Sequence, residues 1–355
     1  MIAITGATGF VGMVHLTMAI RAGQSVKVLV RDRRVLQHLE SGRVQLIEGD
    51  LSDVDALREL CDGVHTCFHY AARAKFQGDW QTFETINLRG TENLLRAAAG
   101  VERFIFCSSY SSILEDVERH EADETLPYPQ RHLDSYGRSK ALAEQACLRM
   151  HPGATVLRPP WIWGAGDTNN LAALLRAHDR GQLYAINNGK HQIETLHVRN
   201  LVHAAVTASQ RPASRGRIYF VTDDQPIEHK RFCQDLLQHS GRNTAIPSMP
   251  GVVAKVLSVL DQAVGYRLGF TRSALSYMSK TKTFSDARIR SDIGYTAQVS
   301  RSEGLAELQC WIEHIGGSEP VRCGRRRGAN AALINPTLAY LLRTDPPPVA
   351  RRTAA

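Results

Sequence analysis

The sequence predicts an α/β fold: a doubly wound parallel sheet with a smaller C-terminal α/β region that would bind substrate. Three observations predict it. Strand-like and helix-like segments alternate from the N-terminus to about residue 167. The first strand runs straight into a glycine-rich turn that opens a helix. The second, VKVLV, is an apolar run, as expected of a strand with helices on both faces of its sheet.

Taken in order, MIAIT reads as a short buried strand entering the turn GATGFVG. VGMVHLTMAIRAG has helical periodicity and ends at Gly23, a natural C-cap. VKVLV follows, then the polar turn RDRR. VQLIEGD, HTCFHYAA and RFIFCSS read as further strands, with helical stretches DVDALRELC and TFETINLRGTENLLRAAAG between them. The rhythm changes after LRPPWIWGAGD, so residues 1–167 are expected to form the dinucleotide-binding domain. Residues 168–315 mix helical segments with short strands such as RIYFVTD and read as the substrate half. Within it, 193–210 is expected to return to the main sheet. Residues 316–355 are rich in Arg and Pro and are expected to be a disordered tail, DPPPVARRTAA above all.

Composition narrows the class. The chain has 355 residues, 43% hydrophobic and 22% charged, which excludes collagen-like, wholly disordered and disulfide-scaffold proteins. Its net charge of +8 invites a nucleic-acid partner, but Gly317–Ala355 holds seven Arg against two acids, so most of the excess sits in the tail. No nucleic-acid partner is expected. Seven cysteines form no CxxC pair, and no Cys/His cluster has ligand spacing; a reducing, cytoplasmic setting without metal follows. The uncharged first twenty residues are interrupted by Gly, Thr and His, so neither a membrane span nor a signal peptide is expected.

Gly6, Gly9 and Gly12 carry the first chemistry. A turn between strand and helix needs a residue without a β-carbon, a pyrophosphate must approach bare backbone, and the helix must pack close to the strand. Unsatisfied N–H groups at the helix start then hold the anion. A Rossmann-type cofactor site follows, with Thr8, Phe10 and Val11 in the same turn. At the end of the second strand stand Arg31 and Asp32. An arginine there suits the 2′-phosphate of NADP and an acid the ribose of NAD; the position of Arg31 favours NADP. Asp50, followed by Leu51, is placed to meet the adenine, although Asp50 or Ser52 as a helix N-cap is an equally simple reading.

Tyr136 and Lys140 stand four apart on a predicted helix, so both project from one face. An ammonium beside a phenol favours the phenolate and makes it a usable acid/base near neutrality. The strand FIFCSS ends in Ser108 and Ser109 at the sheet's carboxyl edge, where ligands of open α/β sheets bind. A hydroxyl there can hold a substrate oxygen while Tyr136 moves its proton.

With those residues in view, the chain resembles the extended short-chain dehydrogenase/reductase superfamily, also called the NAD-dependent epimerase/dehydratase superfamily. Gly6-Ala7-Thr8-Gly9-Phe10-Val11-Gly12, Ser109 and Tyr136-x-x-x-Lys140 carry the resemblance, with Ala71-Ala72, Asn87 and LRPPWIWGAGD. The segment FTRSALSYMSKTKTFSDARIRSDIGYTAQVSRSEGLAELQCWI is similar to its 3β-hydroxysteroid dehydrogenase branch. The resemblance implies Tyr136 as general acid/base, Lys140 as its electrostatic and ribose-holding partner, and Ser109 as donor to the substrate oxygen. It implies cofactor contacts at Ala71 and Ala72, and a helix-and-water role for Asn87. Two positions depart from the pattern. Arg199 replaces an acid in HVRN, and the bulky Tyr110 follows Ser109.

The expected activity is NAD(P)-dependent interconversion of a secondary alcohol and a ketone on a hydrophobic substrate. PSMPGVVAKVLSVLDQAVGYRLGF offers Val252, Val253, Val256, Leu257, Val259 and Leu260 near helical spacing, either as a lid or as an ordinary core helix. The alternatives are a nucleotide-sugar epimerase/dehydratase, with Arg176, Arg180, Lys190 and Arg199 available for a diphosphate, and a non-enzymatic dinucleotide sensor. Peripheral membrane contact and a homodimer stay open at this level.

Overall fold

The computed structural model describes residues 1–74, 78–223, 225–263, 271–323 and 329–343. Its centre is a seven-stranded, all-parallel sheet. In chain order its strands and main helices are β1 (Ile2–Thr5), α1 (Phe10–Arg21), β2 (Val26–Val30), β3 (Val44–Glu48), α2 (Val54–Cys61), β4 (Thr66–His69), α3 (Gly90–Ala97), β5 (Arg103–Cys107), α4 (Ser135–Met150), β6 (Ala154–Arg158), α5 (Val198–Gln210) and β7 (Ile218–Phe220). The spatial order is β7-β6-β5-β4-β1-β2-β3, so the direction of winding reverses between β1 and β4. That switch point is where a crevice opens at the carboxyl edge of a doubly wound sheet.

The strands are apolar because helices cover both faces. β2 is buried along its whole length. Its one charge, Lys27, threads to the end of α2 and donates to the carbonyls of Glu59 and Asp62 over 2.9 and 2.8 Å. Arg103 on β5 likewise reaches the last turn of α5 at the Ala208 carbonyl, 2.8 Å away. Both cations lie at a helix C-terminus, the end whose dipole favours positive charge.

The segment expected at 193–210 returns only in part. Helix α5 does pack on the main sheet and on α1. Thr195–His197, however, pairs with Trp161–Trp163 in a separate two-stranded parallel sheet. The strand that joins the main sheet is β7, from the RIYFVTD segment assigned to the substrate half, in register with β6. A mixed four-stranded sheet built from Arg119–Ala122, Lys282–Phe284, Gln192–Ile193 and Ile227–Glu228 supports the C-terminal region.

The tail expectation needs correcting for the described residues. Beyond α8 (Arg301–His314) the chain forms a short helix at Glu319–Cys323 and a longer one, α9, at Ala329–Arg343. Leu333, Leu338, Tyr340 and Leu341 are buried, and α9 packs on α1 and α8. The Trp311 indole N–H donates to Thr337 Oγ1 over 3.1 Å, and the Tyr340 hydroxyl donates to the Glu307 carbonyl over 3.0 Å. An amphipathic repeat of leucines overrides the Arg/Pro-rich average. Residues 345–355, expected to be disordered, lie outside the described residues.

The valine-rich segment is helix α6 (Gly251–Ala263). Val252 is 75% exposed, Val259 68% and Leu260 54%, while Ala254 is buried. An ordinary core helix would hide those side chains. No helix among the described residues is long and apolar enough to cross a membrane.

Candidate active site

The glycine turn is built for close approach. Gly6 has φ of +75°, and a β-carbon there would stand 2.7 Å from the Ala71 nitrogen. At Gly12 a β-carbon would meet the Gly6 carbonyl oxygen at 2.3 Å, so α1 can lie against the turn only with glycine in place. Gly9 is exposed and caps α1 with extended backbone and no side-chain cap. The first N–H groups of α1 therefore have no side-chain acceptor, as an anion cradle requires. Phe10 is buried, Thr8 and Val11 are half-buried, and the Ala71 N–H donates to Thr5 Oγ1 over 3.2 Å. Ala72 is half-buried beside it. These features fit the pyrophosphate of a dinucleotide.

At the end of β2, Asp32 caps the next turn and binds Arg34 through both carboxylate oxygens at 2.9 Å, while Arg33 pairs with Glu40. Arg31 is exposed, makes no hydrogen bond or ion pair among the described residues, and its charge bears on Asp50. Asp50 accepts from the Ser52 N–H and hydroxyl, which hold its carboxyl below the usual range. The N-cap of α2 is neither Asp50 nor Ser52 but Asp53, which accepts from the Ala56 N–H. Leu51 is buried against Gly90.

Tyr136 and Lys140 both sit in the first turns of α4, and Ser109 follows β5. The Ser109 hydroxyl bears on Tyr136 and draws the phenol pKa down. Burial is the larger effect and pushes it up, helped by Cys107 and Asp134. The net direction is therefore opposite to that expected of a phenol beside an ammonium. Lys140 is held on β5: the residue is 2% exposed, and its Nζ donates to the Cys107 carbonyl over 2.6 Å and lies 4.1 Å from the Phe106 ring centre. Burial lowers the Lys140 pKa, with Cys107 and Glu144 acting in the other direction.

The two serines part company. Ser108 donates to Glu144, which is buried with Arg158 in an ion pair of 2.8 Å and also accepts from Tyr128. Ser109 turns the other way, toward Tyr136. Two residues that sequence reasoning passed over hold this arrangement. Asp134 caps α4 through the Gly137 N–H at 2.8 Å. Gly137 brings the helix so near that a β-carbon would stand 2.4 Å from the Ser111 carbonyl oxygen. The stretch Asp134-x-x-Gly137 was a readable capping signal. Asn87 adds a third support: it accepts from the Arg73 N–H over 2.7 Å and donates to Ser139 over 2.9 Å, tying the loop after β4 to α4.

The departure at Arg199 is made good elsewhere. Arg199 pairs with Glu307 at 3.3 Å. The buried acid beneath HVRN is Asp223, which accepts from the His197 N–H, Asn200, Trp163 and Thr195. Tyr110 packs edge-on against Phe284 and tilted against Tyr277.

Residues 3–249 match the model of the 3-beta hydroxysteroid dehydrogenase/isomerase family. The chain belongs to this family. It is similar to a 4-hydroxy-2-methyl-3-oxo-4-farnesyl-3,4-dihydroquinoline-1-oxide ketoreductase of Stigmatella aurantiaca, 30% identical over 86% of this chain and 95% of the relative. A 3 beta-hydroxysteroid dehydrogenase/Delta 5-->4-isomerase of Mycobacterium tuberculosis is 27% identical over 94% of this chain and 95% of its own. Among solved structures, UDP-glucuronic acid 4-epimerase from Bacillus cereus in complex with NAD superposes with a TM-score of 0.68 over 88% of this chain and 98% of that one, at 20% identity. That likeness bears on the fold. This member of the family is an NAD(P)-dependent oxidoreductase acting on CH–OH groups.

Proposed function

We propose that this oxidoreductase prefers NADP(H) and interconverts a secondary alcohol and a ketone on a hydrophobic sterol, steroid or acyl substrate, with Tyr136 as general acid/base. The observation that carries the reading is the grouping of Ser109, Tyr136 and Lys140 at the carboxyl edge, with Ser109 bearing on the Tyr136 phenol, two strands from the uncapped glycine turn. The bound nicotinamide dinucleotide supplies or accepts the hydride. In reduction, Tyr136 gives its proton to the oxygen as the alcohol forms, and Ser109 holds that oxygen in line. Lys140, whose Nζ donates to the Cys107 carbonyl, would hold the ribose hydroxyls. Gly6, Thr8, Gly9, Phe10, Val11 and Gly12 would hold the pyrophosphate, and Asp50, Leu51, Ala71 and Ala72 the adenosine and ribose.

The preference for NADP rests on Arg31. Its neighbours Arg33 and Arg34 are taken by Glu40 and Asp32, whereas Arg31 is open to a 2′-phosphate. Asp32, occupied by Arg34, is a poor ribose ligand. The exposed apolar face of α6 supports a hydrophobic substrate. A diphosphate-binding epimerase is disfavoured because Arg199 is bound by Glu307 and Arg176 by the Arg322 carbonyl.

An absorbance screen of sterols, steroids, acyl ketones and UDP-sugars against both cofactors tests the reading. Turnover of a hydroxy- or oxo-steroid or acyl ketone, faster with NADP(H), is expected. Turnover confined to UDP-sugars would overturn it.

A further inference from the structure

Four hydroxyls from three separate parts of the chain meet at the active site. Ser109 bears on the Tyr136 phenol, and the Ser109 hydroxyl donates to Ser111 Oγ over 3.1 Å. The Tyr277 hydroxyl donates to that same Ser111 oxygen over 2.9 Å. Ser109 and Ser111 stand just beyond the end of β5, and Tyr136 on α4. Tyr277 belongs to a helix of the C-terminal region, α7 (Arg272–Ser279), far along the chain. Ser111 is 2% exposed and Ser109 7%, so water has little access to the pair.

The arrangement solves a counting problem. A serine hydroxyl has one proton. If Ser109 gives it to Ser111, none is left for Tyr136 or for a substrate oxygen. The Ser111 N–H already donates to Ser109 Oγ over 3.2 Å, and the Tyr277 hydroxyl supplies Ser111. With Tyr277 already donating to Ser111, the Ser109-to-Ser111 bond can reverse, the Ser111 proton turning onto Ser109. The Ser109 proton then points outward, and each bond in the series polarises the next.

We propose that Tyr277 and Ser111 are positioning residues, forming a hydroxyl chain Tyr277–Ser111–Ser109 that aims the Ser109 proton at Tyr136 and the substrate oxygen. The inference rests on Tyr136 as the acid/base group. It ties the proton step to the seating of α7, which carries Tyr277. The surroundings favour this direction. Burial, Tyr110, Asp134 and Tyr136 keep the Tyr277 phenol protonated, and hence a donor. Facing Tyr136 are Cys107 from β5, Asp134 from the cap of α4, Tyr110 and Tyr277, with the Phe83 ring 6.4 Å away. Cys107 and Asp134 resist the phenolate, and Ser109 stabilises it.

The test reads Tyr136 ionisation in the full-length chain saturated with NADP+, as the ultraviolet phenolate band that disappears in Tyr136→Phe. Tyr277→Phe keeps the ring against Tyr110 and removes only the hydroxyl. Its Tyr136 midpoint is expected to rise by roughly half a pH unit to one unit, the size of one ordinary hydrogen bond. Ser111→Ala should give a similar rise, and the double variant no further one, since both act on the same chain. NADPH binding should be unchanged in all three. An unmoved midpoint in Tyr277→Phe, or additive shifts in the double variant, would overturn the chain while leaving the acid/base reading standing. A wild-type protein without any Tyr136 band would remove that reading, and the chain with it.

Discussion

The Ser108 hydroxyl donates to Glu144, and Glu144 is locked to Arg158 at 2.8 Å with side-chain exposures of 0% and 2%. Two adjacent serines at one strand end therefore have different duties. Ser108→Ala should cost stability, because it leaves a buried carboxylate short of a donor. Ser109→Ala removes the acceptor of the Ser111 N–H, so it should cost about 1 kcal/mol of stability, but its larger effect should be a kcat lowered by about 10-fold or more, on the scale of one lost transition-state donor. Parallel melting curves and turnover measurements separate the two; equal kinetic losses would show that the assignment is wrong.

Arg31→Ala should weaken NADPH more than NADH. One guanidinium–phosphate contact corresponds to roughly a 10-fold selective loss, on the scale of charge-assisted hydrogen bonds. Fluorescence titration with both reduced cofactors measures the ratio. An equal loss with the two would count against the 2′-phosphate role.

The C-terminal helix makes the opposite prediction from a disordered tail. Ending the chain at Gly317 uncovers Trp311 and the outer face of α1, so cofactor binding and the cooperative melt should both be lost. Leu338→Ala, a gentler change at a fully buried position, should cost about 2–5 kcal/mol. Denaturant unfolding of the two variants checks this; a truncated chain that melts like the full one would contradict it.

Glu194 is 6% exposed, and burial pushes its carboxyl up from 4.5 to about 8. The folded chain then holds a proton that the unfolded chain releases. The stability linked to this group is fully present below pH 4.5 and declines as pH rises through about 8. Glu194→Gln should flatten the fall in stability across that window and leave the protein firmer than wild type at its upper end. Melting temperatures measured across the window test it; parallel curves for the two proteins would show that Glu194 is not the group responsible.

What was legible in the sequence was what neighbours in the chain decide. Gly6, Gly9 and Gly12 act within one turn, and Tyr136 and Lys140 within one helix face, so spacing alone marks them. The Asp223 carboxylate was not legible, because its partners Trp163, Thr195 and Asn200 arrive from other segments. Strand β7 joins the main sheet rather than the substrate half for the same reason: its partner β6 lies well back along the chain, across α5. The tail misled through composition, since an average over Arg and Pro hides Leu333, Leu338 and Leu341 on one helix. The direction of the Tyr136 shift could not be read at all. It depends first on the burial of the phenol, which no spacing along α4 reveals.

The most direct measurement is turnover by Tyr136→Phe, followed by nicotinamide absorbance beside a cofactor-binding titration. The account predicts NADPH binding close to wild type and a kcat lowered by about 10²–10⁴ or more, as expected for a missing proton-transfer group. A Tyr136→Phe variant that turns over the same alcohol or ketone at the wild-type rate would contradict it.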